Sequence, residues 1–203
     1  IITDGYVGGQ AVVEYFRGLL LTLKGTSSEA MSVSVKWDGA PAVVCGTNPD
    51  NGRFFVGTKS VFAQAAKINY TKKDIAKNHG TDELGQKLLK CLVHLKKLNI
   101  QGVVQGDLLY TDEDITRKNI DGKPHLTFTP NTITYAVPED GDLAKQIDGA
   151  KVGIIFHTTY TGDSLATMNA QGGADVSSFT QSPDVFFDNA SYKDVSGSAK
   201  FTA

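Results

Sequence analysis

Cysteine is scarce in this chain: there are two in 203 residues, Cys45 in a strand-like run and Cys91 in a helix-like one. That count excludes a disulfide scaffold and predicts two buried free thiols, made in a reducing, cytoplasmic setting. The four histidines (His79, His94, His125, His157) and the cysteines lack the spacing of tetrahedral ligands, which argues against a structural zinc site. No apolar run approaches the ~20 residues of a membrane-spanning helix, so no membrane partner is expected. No basic start followed by an apolar stretch and a small-residue cleavage site opens the sequence. The chain begins at Ile1 rather than Met, and residues are expected upstream of it. There is no Gly-x-x-x-x-Gly-Lys-Ser/Thr run, which removes the P-loop, and no Ser-His-Asp arrangement.

What is present is a chain with 40% hydrophobic residues, 21% charged residues and 21 glycines, enough for a soluble, turn-rich domain with a real core. The net charge of -2 conceals an asymmetry. Residues 53–99 hold ten Lys and Arg against three Asp and Glu, whereas residues 138–203 hold four against nine. A basic middle on a near-neutral chain suits a phosphate-facing surface, although for its helical part a solvated face of lysines is the preferred reading.

Apolar periodicity predicts a helix from about Gly9 to Lys24, with Val12, Val13, Phe16, Leu19, Leu20 and Leu23 on one face and Gly25 as its stop. Strands are expected at Val33 to Val35, at Ala42 to Cys45 and, after the Asn51-Gly52 turn, at Phe54 to Val56. Residues 60–80 are polar and ambiguous. Thr81 can cap a second helix reaching about Leu98, with Leu84, Leu88, Leu92 and Leu95 as its stripe. Further strands are expected at Gly102 to Val104, Leu126 to Phe128, Thr132 to Val137 and Val152 to Phe156, with Pro130-Asn131 turning a hairpin. From Thr161 onward Gly, Ser, Asp and Asn dominate, which reads as an irregular extension.

The most informative stretch is Lys36-Trp37-Asp38-Gly39-Ala40-Pro41. It sets a lysine at the end of an apolar strand with a carboxylate two residues on. An ordinary lysine, with a pKa of ~10.4, is neutral in only about one molecule in a few thousand at pH 7. A nucleophilic lysine therefore needs apolar walls or neighbouring positive charge. The same residues also fit a surface lysine followed by an Asp-Gly hairpin turn.

Lys36-x-Asp38-Gly39 resembles motif I of the covalent nucleotidyltransferases, which comprise ATP-dependent DNA ligases, RNA ligases and mRNA-capping guanylyltransferases. Val103-Val104-Gln105-Gly106-Asp107-Leu108 resembles motif III of that superfamily, with Asp107 where the family has Glu. Gly57-Thr58-Lys59-Ser60 resembles the segment that supplies a cation after motif I. Val152 to His157 resembles motif IIIa, in which an aromatic ending a strand stacks on the purine; here that residue is Phe156, and His157 replaces the usual Asp. Each has a plainer reading: a Gly-Asp turn for Asp107, a surface lysine for Lys59, a core aromatic for Phe156 and a local hydrogen bond for His157. Ser34 stands where the family often has Glu. No convincing motif IV or V follows, and Val185-Phe186-Phe187-Asp188 is a poor substitute.

The resemblance implies an α+β fold with a mostly antiparallel nucleotidyltransferase (ATP-grasp-like) core, residues 1–160, flanked by helices and followed by 161–203, either an irregular Gly/Ser/Asp-rich extension or an incomplete remainder of the same domain. It implies that Lys36 takes AMP from ATP, that Asp38 orients ribose or the lysine, and that Asp107 serves Mg²⁺. Phe156 would stack the base and Lys59 would touch phosphate, with AMP passing to the 5′-phosphate of RNA or DNA in the cytoplasm. The texture is similar to ligase-like proteins of tailed bacteriophages. The alternative is a catalytically degenerate protein of the same fold, associated with a phage virion.

Overall fold

Nine strands and four α-helices account for the regular structure in the computed structural model, which describes residues 5–25 and 35–191. The chain divides into two units, Ile1–Ser34 and Val35–Ala203. In the first, α1 (Gly5–Leu23) is the expected amphipathic helix. It stops at Gly25, whose φ of 67° is left-handed and costs a glycine little.

The second unit is built on a six-stranded sheet. Its path is β2 (Phe54–Gly57), β1 (Ala42–Thr47), β3 (Val103–Thr111), β7 (Val152–Thr161) and β8 (Asn169–Gly172); β9 (Val185–Asn189) also pairs with β7. All pairings are antiparallel except β9 with β7. A separate three-stranded antiparallel sheet holds β4 (Thr116–Ile120), β5 (Lys123–Phe128) and β6 (Tyr135–Pro138), and the predicted Pro130-Asn131 turn lies between the last two. The fold is therefore α+β and mostly antiparallel, as expected.

Successive side chains of a strand point to opposite faces, and the cores divide accordingly. Val43 and Cys45, Val104, Ile154 and Phe156 pack with Leu88, Cys91 and Leu95 of α3 (Glu83–Leu95). Burying each of those leucines contributes about 1.5–3 kcal/mol. The opposite face carries two clusters. One joins Leu109 and Ile155 to Leu126, Phe128 and Ile147 of α4 (Asp142–Gly149), with Trp37 against it. The other joins Val44, Phe55, Val61, Val103 and Leu165, with Phe62, Tyr70 and Tyr160 against it.

Several expectations are corrected. Of the two readings of 161–203, the irregular extension gives way to the remainder of the same domain: Thr161 ends β7, and β8 and β9 extend the main sheet while Leu165, Phe179 and Val185 enter its cores. The few apolar residues of this stretch are nearly all turned inward, which sparse composition hides. Residues 192–203 lie outside the described residues, as do Val33 and Ser34 of the strand expected before Lys36. The ambiguous 60–80 region contains α2 (Lys72–His79), closed by a Thr71–Asp74 capping box. The cap of α3 is Asp82 rather than Thr81, its carboxylate accepting from Gly85 N–H. Both cysteines are free and buried, as expected.

Candidate functional site

The segment Val35–Pro41 is tied at both ends. Val35 N–H donates to Ala190 O at 2.8 Å, and Ala190 N–H in turn to Phe156 O at 2.9 Å. Five residues on, Ala40 N–H donates to Leu108 O at 2.9 Å and Leu108 N–H to Pro41 O at 3.1 Å, so the segment enters β1 alongside β3. It is extended but irregular, and Asp38-Gly39 is not a hairpin turn.

Trp37 fixes the middle by stacking on Tyr135 with ring centroids 5.5 Å apart. The Tyr135 hydroxyl accepts from Asp38 N–H at 2.9 Å. The Asp38 carboxylate receives four bonds: Asn131 Nδ2 at 2.9 Å, Thr132 N–H at 2.8 Å, Thr132 Oγ1 at 2.7 Å and Ile133 N–H at 2.8 Å. The Thr132 hydroxyl, then Asn131 and the two backbone donors, hold the Asp38 carboxyl well below the usual carboxylate range. Both its oxygens are taken by the β5–β6 loop. The carboxylate expected to orient ribose or the lysine is thus tied to this loop, with three donors on Oδ2 and one on Oδ1.

Gly39 brings motif I onto Asp107. A Cβ at Gly39 would fall 2.5 Å from Asp107 Cβ and 2.9 Å from Leu108 O, closer than any side chain tolerates. Asp107 itself lies mid-strand, opposite Ala42 and Ile155, rather than in a turn after the strand. Its Oδ1 is 3.4 Å from His157 Nε2, and His157 Nδ1 is 2.8 Å from Thr158 Oγ1. His157 occupies a bulge, since Gln105 pairs with Thr158 while Gly106 pairs with Phe156.

Asp107 and Gln105 share a face with Val103 and Leu109, which belong to the two separate apolar clusters. A polar strip thus lies between those clusters. Gln105, 5% exposed, accepts at Oε1 from the Tyr160 hydroxyl at 2.7 Å. Tyr160 in turn packs on Phe62, with centroids 4.4 Å apart, and Phe62 closes the 3-10 turn Lys59–Phe62 that follows β2. Lys36 and Lys59 are exposed, so the apolar walls expected around a nucleophilic Lys36 are not there, and among the described residues neither makes an ion pair.

Phe156 does not belong to this site. It is 0% exposed and packs edge-on against Phe179 at 5.4 Å, on the α3 side of the sheet. Its strand position points it to the face opposite Asp107, so the stacking role expected for it has no open ring face. Sequence reasoning passed over Gln105, Tyr160 and the Asn131–Ile133 loop. A lone glutamine inside the apolar run Val103–Leu109 was the available signal for the first.

Among the described residues no group of three or more His, Cys, Asp or Glu gathers as a metal cage, and no helix is long and apolar enough to cross a membrane. Asp107 is a single carboxylate with a histidine beside it, which fits a Mg²⁺ ion held mostly by water and substrate phosphates rather than by protein.

An α+β chain with a lysine segment packed over a strand carboxylate thus defines the structural class. The model of the family described as "Family of unknown function (DUF6267)" matches residues 1–203, and the chain belongs to that family. No curated protein and no solved structure matches it.

Proposed function

We propose that this chain is a lysine nucleotidyltransferase of the polynucleotide-ligase type, with Lys36 as the nucleophile. The observation that carries the reading is the contact of Gly39 with Asp107, which sets the lysine-bearing segment against the candidate motif III carboxylate. The neutral Lys36 amine would attack the α-phosphate of ATP in line, forming a P–N bond as the bond to pyrophosphate breaks. Its remaining extra proton would pass to solvent. The AMP would then move to a nucleic-acid 5′-phosphate. Asp107 would hold Mg²⁺, which supplies charge neutralisation at the phosphates when bound. The exposed Lys59 is the candidate phosphate contact, and its turn abuts the polar strip through Phe62 and Tyr160. The approach of the Lys36-bearing segment to Asp107 at Gly39, beside a mostly antiparallel sheet, supports a nucleotidyltransferase core.

Incubation with α-labelled ATP and, in parallel, α-labelled GTP tests the reading. The expected result is an acid-labile, SDS-resistant label that Lys36→Arg abolishes, because arginine keeps the charge but cannot act as the nucleophile. No label from either nucleotide overturns it.

A second reading, a protein of the same fold without turnover, draws on two observations: the tying of the Asp38 carboxylate to the β5–β6 loop and the closed ring of Phe156. A phage-virion association belongs to this reading. It predicts no label together with co-purification of the chain with virions.

A further inference from the structure

At the other end of β1 from the Lys36 segment, roughly 15–20 Å away at about 3.3 Å per strand residue, lies a groove of about 450 Å³. It runs between the β1–β2 turn and the end of α3, and Thr47, Arg53, Tyr70, Lys96, Asn99 and Gln101 line it. No Asp or Glu is among its lining residues. Its two charged groups are both cations.

Three of the nine lysines in the basic stretch 53–99 meet an acid, all of them away from the groove. Lys87 pairs with Glu83 and Asp114, Lys90 with Asp112 and Glu113, and Lys97 with Asp184. Arg53 and Lys96 make no ion pair among the described residues, a property they share with Lys59, Lys67, Lys72, Lys73 and Lys77; what sets these two apart is that they line one groove. Asp74 lies near enough to sense Arg53, but the backbone N–H groups of Tyr70 and Thr71 and the Thr71 hydroxyl occupy its Oδ2.

The groove is also held in shape. The Arg53 guanidinium carbon sits 4.2 Å over the Tyr70 ring, leaving its edge donors free to fork onto an anion. The Tyr70 oxygen accepts from Asn48 Nδ2 at 2.6 Å and from Asn51 Nδ2 at 2.9 Å, so its own proton remains to be donated. Asn48 is 2% exposed and is braced further by accepting Asp50 N–H. Thr47 Oγ1 is spent on Ile100 O at 2.9 Å.

We infer that this groove docks the phosphodiester backbone of a single nucleic-acid strand. The choice of nucleic acid over other polyanions rests on the nucleotidyl-transfer reading; the concave, donor-bearing shape is independent of it. A concave groove admits a chain and not a bilayer surface, and an arginine fork suits phosphate. The backbone phosphates would be held by Arg53 and Lys96.

The test is fluorescence anisotropy of a 3′-labelled, 5′-phosphorylated single-stranded DNA over a salt series, with no ATP present. A protein that never labels Lys36 still gives an affinity there, so the two readings fail separately. Arg53→Gln/Lys96→Gln should weaken binding by about tenfold or more at moderate salt and flatten the plot of log K against log salt by about 1.4. A control double variant on β4–β5, Lys118→Gln/Lys123→Gln, removes the same charge from exposed positions and should leave the affinity within about twofold, the size of a net-charge effect. No binding by the wild type, or an equal loss in both double variants, overturns the inference. So does equal binding of poly-glutamate, or of phosphatidylserine vesicles, with the same dependence on Arg53 and Lys96.

Discussion

Thr132 gives both its backbone N–H and its hydroxyl to the same oxygen of Asp38, at 2.8 and 2.7 Å. With Asn131 and Ile133 adding their own bonds, one carboxylate fastens the β5–β6 loop to the segment that carries Lys36. The folded-state pKa is depressed, so this clamp is at full strength above the unfolded value of 3.8 and is lost as pH falls through the folded one. Asp38→Asn presents an amide nitrogen to groups that are themselves donors. Hydrogen exchange at the Thr132 and Ile133 amides should therefore quicken markedly in the variant at neutral pH. Unchanged exchange would show that the loop is held by other means.

Gly39 makes a sharper demand. Gly39→Ala drives a methyl into Asp107 Cβ at 2.5 Å and toward the Leu108 carbonyl, both of which are fixed by the β1–β3 ladder. The chain must shift, at a cost of about 1–3 kcal/mol in a denaturant melt. If Lys36 and Asp107 work together, labelling by ATP should fall by more than the loss of folded protein explains. A variant with wild-type stability would mean that the two segments are not in contact.

The sequence made the local elements legible where burial is one-sided, as in α3, or complete, as in β1. Leu84, Leu88 and Leu95 declare α3 by their spacing, and the apolar run Ala42 to Cys45 declares β1. Where burial is absent the pattern fails. Every residue of β4 (Thr116–Ile120) and of β8 is exposed, so no alternation marks them. α4 is eight residues long and buries only Ala144 and Ile147. Val185–Asn189 looked like a degraded motif but is a parallel edge strand, defined by β7 beside it rather than by its own composition. For the site, sequence order alone placed Lys36-x-Asp38-Gly39 ahead of the strand of Asp107; that Gly39 lies against Asp107 follows from the pairing of β1 with β3. The occupation of Asp38 was not, since its partners lie more than ninety positions away. Phe156 was misassigned for a related reason: a strand-end aromatic has two faces available, and only the third dimension shows that α3 covers its side.

Tyr110 is 1% exposed, packs on Phe128 at 4.8 Å and carries a hydroxyl with no hydrogen-bond partner among the described residues. Burial pushes that hydroxyl's pKa up. A Cβ on Gly153 would strike the ring, so the tyrosine has taken the space a side chain there would need. An unsatisfied buried hydroxyl costs about 1–3 kcal/mol. Tyr110→Phe deletes that liability and keeps the ring, so it should leave stability unchanged or raise it by about 1 kcal/mol. A drop of that size in a thermal or denaturant melt would reveal a partner for the hydroxyl.

The two cysteines lead to a prediction at the alkaline end. Cys45 of β1 and Cys91 of α3 are both fully buried in the α3-side core. Burial pushes the Cys91 thiol up to about 12, and burial together with the neighbouring Cys91 raises Cys45 above its ordinary value of 9.0. A raised folded-state pKa means that the neutral thiols favour the fold fully below pH 9. That advantage is lost as pH rises from there toward the folded values, because the unfolded chain can ionise and the folded one cannot. Stability measured by denaturant should accordingly decline above about pH 9, and Cys45→Ala/Cys91→Ala should reduce the slope of that decline while costing some packing at all pH values. In the native protein at pH 8 a thiol-specific alkylating reagent should react no faster than the chain opens, since the thiolate that attacks it is absent from the buried state. Prompt labelling of either thiol in folded protein would place it at the surface and remove the central contact between β1 and α3.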